Sequence, residues 1–369
     1  MIAENMGTDH KNNYCVILCG GIGSHFWPFS CKNKPKQFLD FLGTGHSLLQ
    51  HTFHRFKKLI PTENIYIVSN KAYAELIQEQ LPELPQSQVL LEPTRRNTAP
   101  CIAWATYRIY AINPEANIVV APSDHLIMKE EEFLGIIQKG LDFAAQTEYL
   151  LTIGIKPNRP ETGYGYIQID DEHAGDFHKI KTFTEKPQED LAQIFIESGE
   201  FYWNSGLFIG HIKHILSAFD QHLPELTACF RPGLEQNIYG TENEQDYIDE
   251  HFPICPNISI DFGIMEKTEK AYVLLGDFGW SDLGSWHALY EMSDKDENEN
   301  VALSCHTINY NSKNNLILLP KRKLVVLQDM ENYLIAESEK VLLICKKEDS
   351  QAMRNIINEA QIKYGDEYI

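Results

Sequence analysis

The chain has 369 residues, with 32 Lys and Arg against 52 Asp and Glu, a formal charge of −20. Apolar residues make up 43% and charged residues 23%, a globular composition that excludes a disordered chain, while the acidic excess argues against a nucleic-acid partner. At roughly 150 residues per domain the length predicts two or three domains, and any anionic ligand must meet local positive charge.

Met1 to Asn13 form a polar tail, containing Glu4 and Asp9 and no apolar h-region, so no secretory signal is expected there. No run of about 18 apolar residues occurs, which speaks against a membrane span. The cysteines at 15, 19, 31, 101, 229, 255, 305 and 345 form no C-x-x-C pair, in a chain too long to need disulfide staples. Reduced thiols and a cytoplasmic location are expected.

Short β-rich apolar runs then alternate with segments of helical period, the pattern of a sheet covered by helices in an α/β fold. The predicted strands are Tyr14 to Leu18, Ile65 to Ser69, Gln88 to Leu91, Asn117 to Ala121 and Leu150 to Ile155. Ser47 with Gln50 reads as a capping box ahead of an amphipathic helix carrying Leu49, Phe53 and Phe56. A second helix starts near Thr98, with Pro100 in its first turn. From about Glu161, glycines punctuate short strands, as expected of an insertion covering one sheet edge. Ser293 to Asn300 reads as a linker, and the short strand-like runs beyond it predict a small β domain closed by a helix from about Ser350. The domain boundaries expected are a tail over 1–13, a catalytic domain over 14–287 and the β domain over 288–369.

Directly after the first strand comes Cys19-Gly20-Gly21-Ile22-Gly23-Ser24-His25-Phe26-Trp27-Pro28. Glycines there let backbone N–H groups approach a phosphate. A P-loop is excluded because no Gly-Lys pair follows, and a dinucleotide fingerprint fails because its last glycine would fall on Phe26, which disfavours a dehydrogenase. Pro28 argues for a long loop running to Lys36 rather than a helix.

Gly20-Gly21-x-Gly23, Trp27-Pro28 and Pro35-Lys36-Gln37-Phe38-Leu39 resemble the opening of the sugar-1-phosphate nucleotidyltransferases, specifically the mannose-1-phosphate guanylyltransferases. Further blocks agree in order: Glu92-Pro-Thr-Arg-Arg-Asn97-Thr-Ala-Pro100, Ala121-Pro-Ser-Asp124-His125, Gly163-Tyr-Gly-Tyr166, Phe183-Thr-Glu185-Lys186-Pro187, Trp203-Asn204-Ser-Gly206 and Gly279-Trp-Ser-Asp282-Leu-Gly284. The resemblance implies a Rossmann-like, GT-A-like mixed sheet with helices on both faces, and a β-helix-like C-terminal domain. It implies transfer of GMP from GTP to mannose 1-phosphate with Mg²⁺, by in-line displacement and without a covalent intermediate.

Mg²⁺ takes oxygen ligands, usually one or two carboxylates plus substrate phosphates. Asp124, at the carboxyl end of a predicted strand, and Asp282, in a Gly- and Trp-rich loop, match the family's metal positions. Lys36 is then expected to face the triphosphate and Lys186 to hold the sugar phosphate. Cys19, Gly20, Gly21, Gly23, Ser24, His25, Glu92, Asn97 and Thr98 are expected to bind the nucleotide, with Glu92 an acceptor for a purine N–H edge. Arg95 and Arg96 are further candidates for ribose or phosphate. Gly163, Glu185 and Asn204, with Lys186, are expected at the sugar phosphate. The family usually carries Arg where this chain has His25, and often where it has Cys31, so two fixed charges are missing from the loop. Another hexose phosphate or NTP, and a sugar-nucleotide-binding regulatory homologue, stay open as alternatives. The β domain offers a surface on which two copies could pair.

Overall fold

The computed structural model describes residues 10–21, 26–320, 323–347 and 350–368, with backbone alone at 10 and 350–352. The chain divides into two compact units: Met1–Gly20, Thr52–Ser123 and Ile127–Trp280 in one, and Gly21–His51, Asp124–Leu126 and Ser281–Ile369 in the other.

In the first unit the strands are β1 (Asn13–Leu18), β2 (Ile65–Asn70), β3 (Val89–Glu92), β4 (Asn117–Pro122), β5 (Leu150–Ile155), β6 (Gly165–Ala174), β7 (Phe177–Glu185), β8 (Phe201–His211) and β9 (Ala271–Gly276). Among the described residues these form one mixed sheet in the order β3-β2-β1-β4-β8-β5-β9-β7-β6. The five predicted strands form within one or two residues of their expected bounds. β1 is buried along its length and pairs in parallel with both β2 and β4, Cys15 lying beside Ile65 on one side and Val119 on the other. Alternate side chains point to opposite faces, so Tyr14, Val16, Tyr66, Val68, Ile118 and Val120 share one face with the apolar side of helix Thr98–Tyr110. Helix Glu130–Gln146 packs its Gly140 against Ile209 and Leu151.

The insertion after Glu161 does more than cover an edge. β6 and β7 form a hairpin whose β6 also pairs antiparallel with β8, Tyr166 lying beside Trp203, and β8 enters the sheet between β4 and β5 and runs antiparallel to both. Its pairing with β5 is irregular: Thr152 faces Phe208 and Gly154 faces Asn204, a step of two residues against four. Gly206, at φ 74°, supplies the left-handed residue in this bulge, and bulges re-aim the side chains beside them.

In the second unit, the capping box forms as expected. Ser47 N–H donates to Gln50 Oε1 at 2.9 Å and Gln50 N–H to Ser47 Oγ at 3.2 Å, at the start of helix Leu48–Lys57. The β region comprises β10 (Val301–Leu303), β11 (His306–Tyr310), β12 (Leu316–Leu318), β13 (Leu324–Gln328), β14 (Tyr333–Glu337) and β15 (Leu342–Lys346). β10, β12 and β14 stack in parallel and β11 stacks on β13, so the chain coils as a β-helix does. Buried Asn300 and Asn315 form a ladder inside the coil, with Asn315 Nδ2 donating to Asn300 Oδ1 at 2.9 Å. Within the stretch Ser293 to Asn300 the Asp296 carboxylate accepts the N–H groups of Asn298 and Asn300 at 2.9 and 2.8 Å and folds it into a turn. Helix Ser350–Tyr364 follows β15, as expected.

Candidate active site

Lys36 sits in the single turn Lys36–Phe38, after Pro35, and is almost fully buried. Its ammonium lies 3.1 Å from Asp124 Oδ2, and donates to the carbonyls of Asp282 at 2.7 Å and Leu283 at 3.2 Å. Three acceptors match the three N–H bonds of an ammonium. Lys36 therefore ties together the two aspartates singled out in the sequence. Burial alone would raise the Asp124 carboxyl, but Lys36, then His125, outweigh it and hold the group below its ordinary range. Leu283 adopts φ 46°, an uncommon conformation for a bulky residue, and this turns its carbonyl onto Lys36. The Asp282 carboxylate accepts the Gly284 N–H at 2.8 Å, and a Cβ at Gly284 would lie only 2.7 Å from its other oxygen.

In the first unit, Gly20 lies against Glu92, since a Cβ there would meet Glu92 Oε1 at 2.9 Å. Glu92 is buried and accepts a hydrogen bond from the Cys101 thiol at 3.0 Å. Burial raises its carboxyl, opposed by Cys101 and Arg95. The Cys19 N–H donates to the Val68 carbonyl at 2.8 Å, and its own carbonyl accepts from Ser69 Oγ at 2.7 Å, so its peptide groups extend the sheet edge. The Asn97 side chain caps Thr98 N–H at 2.9 Å, and Thr98 Oγ1 accepts the Ile260 N–H at the same distance. Arg95 donates to Tyr73 Oη at 3.2 Å and Arg96 to the Pro253 carbonyl, which uses one of the five N–H donors of each guanidinium. Gly21, in the second unit, gives its carbonyl to Gln37 Nε2 at 2.8 Å. Gly23, Ser24 and His25 lie outside the described residues.

The expected sugar-site residues gather at the bulge end of β8. Glu185 ends β7 opposite Gly165, and Lys186 follows at φ 47°, its ammonium largely exposed and 3.7 Å from Glu185 Oε1. Gly163 N–H donates to Glu161 Oε1 at 3.2 Å. Asn204 is locked at both ends: Oδ1 accepts from Thr152 Oγ1 at 2.8 Å and Gly206 N–H at 3.3 Å, while Nδ2 donates to Asp261 Oδ1 at 2.8 Å. Tyr164, Tyr166 and Trp203 are buried aromatics of the core. Burial, then Asp261, raise the Glu185 carboxyl, and despite Lys186 it is pushed up to about 7.

Two residues here escape sequence reading. Asp261 opens a π-helical turn, Asp261–Met265, and Glu266 follows it, accepting the Glu185 N–H at 3.1 Å. The available signal was an aspartate set just ahead of Gly263, and single π-turns recur at functional sites. Among the described residues no group of three His, Cys, Asp or Glu side chains comes together to hold a metal.

Residues 14–299 match the nucleotidyl transferase family. A putative mannose-1-phosphate guanylyltransferase of Vibrio cholerae is 35% identical over 96% of this chain and 75% of its own length. The mannose-1-phosphate guanylyltransferase of Klebsiella pneumoniae is 36% identical over 93% of this chain and 72% of its own. A solved structure described as a mannose-1-phosphate geranyltransferase from Thermus thermophilus superposes with a TM-score of 0.84 at 28% identity, covering 95% of this chain and 99% of that one. The Rossmann-like α/β fold, the ordered motifs and these likenesses agree: the chain belongs to the nucleotidyl transferase family, in the group of the mannose-1-phosphate guanylyltransferases.

Proposed function

We propose that this enzyme transfers GMP from GTP to mannose 1-phosphate, giving GDP-mannose and pyrophosphate. A phosphate oxygen of the sugar phosphate attacks the α-phosphorus of GTP in line, and the bond from that phosphorus to the bridging oxygen of the β-phosphate breaks. The attacking oxygen is already ionised near neutral pH, so alignment and charge neutralisation carry the rate, with no strong base and no covalent intermediate. The supporting observation is the centre in which Lys36 ties Asp124 to the Asp282 loop, in a chain of this family.

Two hard carboxylates, one held ionised beside Lys36 and the other cradled at Gly284, fit Mg²⁺, which is usually completed by phosphate oxygens. When bound, Mg²⁺ would neutralise charge developing on the phosphates. Lys36 would hold the two aspartates in register and Glu92 would accept from the base. Lys186 would hold the sugar phosphate, while Glu185 and Asn204 would pair with sugar hydroxyls. Purified protein mixed with Mg²⁺, GTP and mannose 1-phosphate should release pyrophosphate, and a panel of NTPs and hexose 1-phosphates should give lower kcat/KM. A higher kcat/KM for another pair would replace the substrates, and no release with any pair would favour a regulatory homologue.

A further inference from the structure

The sugar-end cluster contains a carboxylate that the transfer itself does not require. Asp261 accepts from Asn204 Nδ2 at 2.8 Å, and the other end of the same amide takes the Gly206 N–H, which can only donate. An amide is ambiguous by shape alone, but a donor at one end and a carboxylate at the other leave a single orientation. We propose that Asp261 is a positioning residue for the sugar, turning Asn204 so that its remaining N–H donates to a substrate hydroxyl while Glu185 accepts from one. This rests on the sugar-site reading above and deepens it.

The surroundings support the division of roles. Asn204, the register partner of Gly154, borders the irregularity in β8 that holds left-handed Gly206. Asp261 is held in a π-turn, next to a cluster containing Glu266, Glu185 and Lys186. Glu266 grips the Glu185 backbone rather than its carboxylate, so that carboxylate keeps acceptor capacity. The charged groups that face Glu185 are Asp261, Lys186 and Glu266, and those that face Asp261 are Glu185, Lys186 and Glu266. Ionised Glu185 is the form that accepts a hydroxyl, so kcat/KM for the sugar phosphate should rise with pH through about 7.

The test separates acceptor from charge. Asp261→Asn keeps an oxygen for the Asn204 N–H but removes a negative charge, whereas Asp261→Leu removes both. Asp261→Leu should raise the KM for mannose 1-phosphate about tenfold, the loss of one oriented hydrogen bond, with the KM for GTP within about twofold. Asp261→Asn should restore the sugar phosphate KM to within about threefold of native, the residue of a weaker acceptor. Its acid limb should move to lower pH, because one raising charge is gone. Ionisation of the sugar phosphate itself is common to all three proteins and cancels in the comparison.

If the native protein fails to use mannose 1-phosphate, the substrate reading fails before any variant is made, and this inference falls with it. If the native protein uses it, then an unchanged KM in Asp261→Leu, or an equal loss for both substrates, overturns the positioning role alone. Should Asp261→Leu not fold, Asp261→Asn decides: an unmoved acid limb or a sugar KM raised tenfold overturns it.

Discussion

Lys36 Nζ lies 3.1 Å from Asp124 Oδ2, and the same nitrogen donates to the backbone of Asp282, joining positions 36, 124 and 282 at one point. The lysine is nearly buried and the aspartate about a quarter exposed, at 10% and 23% of their side-chain surfaces. Removing one partner of such a pair leaves the other uncompensated, which costs about 3–5 kcal/mol when fully buried and less here, where water reaches Asp124. Lys36→Met should therefore lower both activity and melting temperature. Asp124→Asn should remove most activity while losing less stability, because an amide can still accept from Lys36. Equal melting temperatures for native protein and Lys36→Met would show that the pair does not organise the centre.

The same pair predicts an acid transition. The folded-state Asp124 carboxyl lies below its ordinary value of 3.8, so its contribution is complete above that value and is lost as pH falls through the lower folded one. A pH series of urea midpoints should show a smaller acid loss in Asp124→Asn than in native protein. Parallel curves would remove Asp124 from the account of acid stability.

Glu185 gives the opposite sign. Its ordinary value is 4.5 and its folded value about 7, so between them the folded protein keeps a proton that the unfolded chain has released. Stability therefore falls with rising pH across that window and levels off above it. Glu185→Gln should melt at the same temperature as native protein near pH 4.5 and higher at pH 8, while binding sugar phosphate less well. A native advantage at pH 8 would contradict the raised carboxyl.

How far the sequence could be read depended on the range of the interactions. The Ser47–Gln50 capping box and the strands β1 to β5 are local in origin, and each forms where periodicity and turn chemistry put it. The place of β8 between β4 and β5 is set by pairing with strands distant in the chain, which periodicity does not encode. Asp261 acts on a partner 57 residues away, so no spacing rule announces it. Lys36 stands out in the sequence by its place in the Pro35-Lys36-Gln37-Phe38-Leu39 block. Its three protein acceptors do not, because two of them are carbonyls exposed by the left-handed turn at Leu283.

Lys186 should behave differently from Lys36. Its side chain is 64% exposed and its ion pair with Glu185 is long at 3.7 Å, so its removal costs little stability. Lys186→Ala should keep the native melting temperature and raise the KM for sugar phosphate by about tenfold or more, the scale of one lost charge-assisted contact, with little change for GTP. Equal increases for both substrates would place the lysine at the shared phosphates instead.

Gly20→Ala tests the nucleotide side without touching a charge. The added methyl would sit 2.9 Å from Glu92 Oε1, the far end of a flexible side chain, so the carboxylate can move without the backbone moving. The Cys101 thiol that now donates to the other oxygen at 3.0 Å would be pulled out of register. Since the strain is relieved by rotating one side chain, stability should change by about 1 kcal/mol or less. A base-edge acceptor displaced by even part of an ångström, by contrast, loses its hydrogen bond to the purine, and the KM for GTP should rise about tenfold. The KM for mannose 1-phosphate should hold. Selectivity supplies a further readout, because an acceptor at Glu92 favours a purine with an N–H edge, and its displacement should narrow the preference for GTP over ATP. A variant with native KM and native selectivity would show that Glu92 carries its buried carboxylate for the Cys101 contact alone.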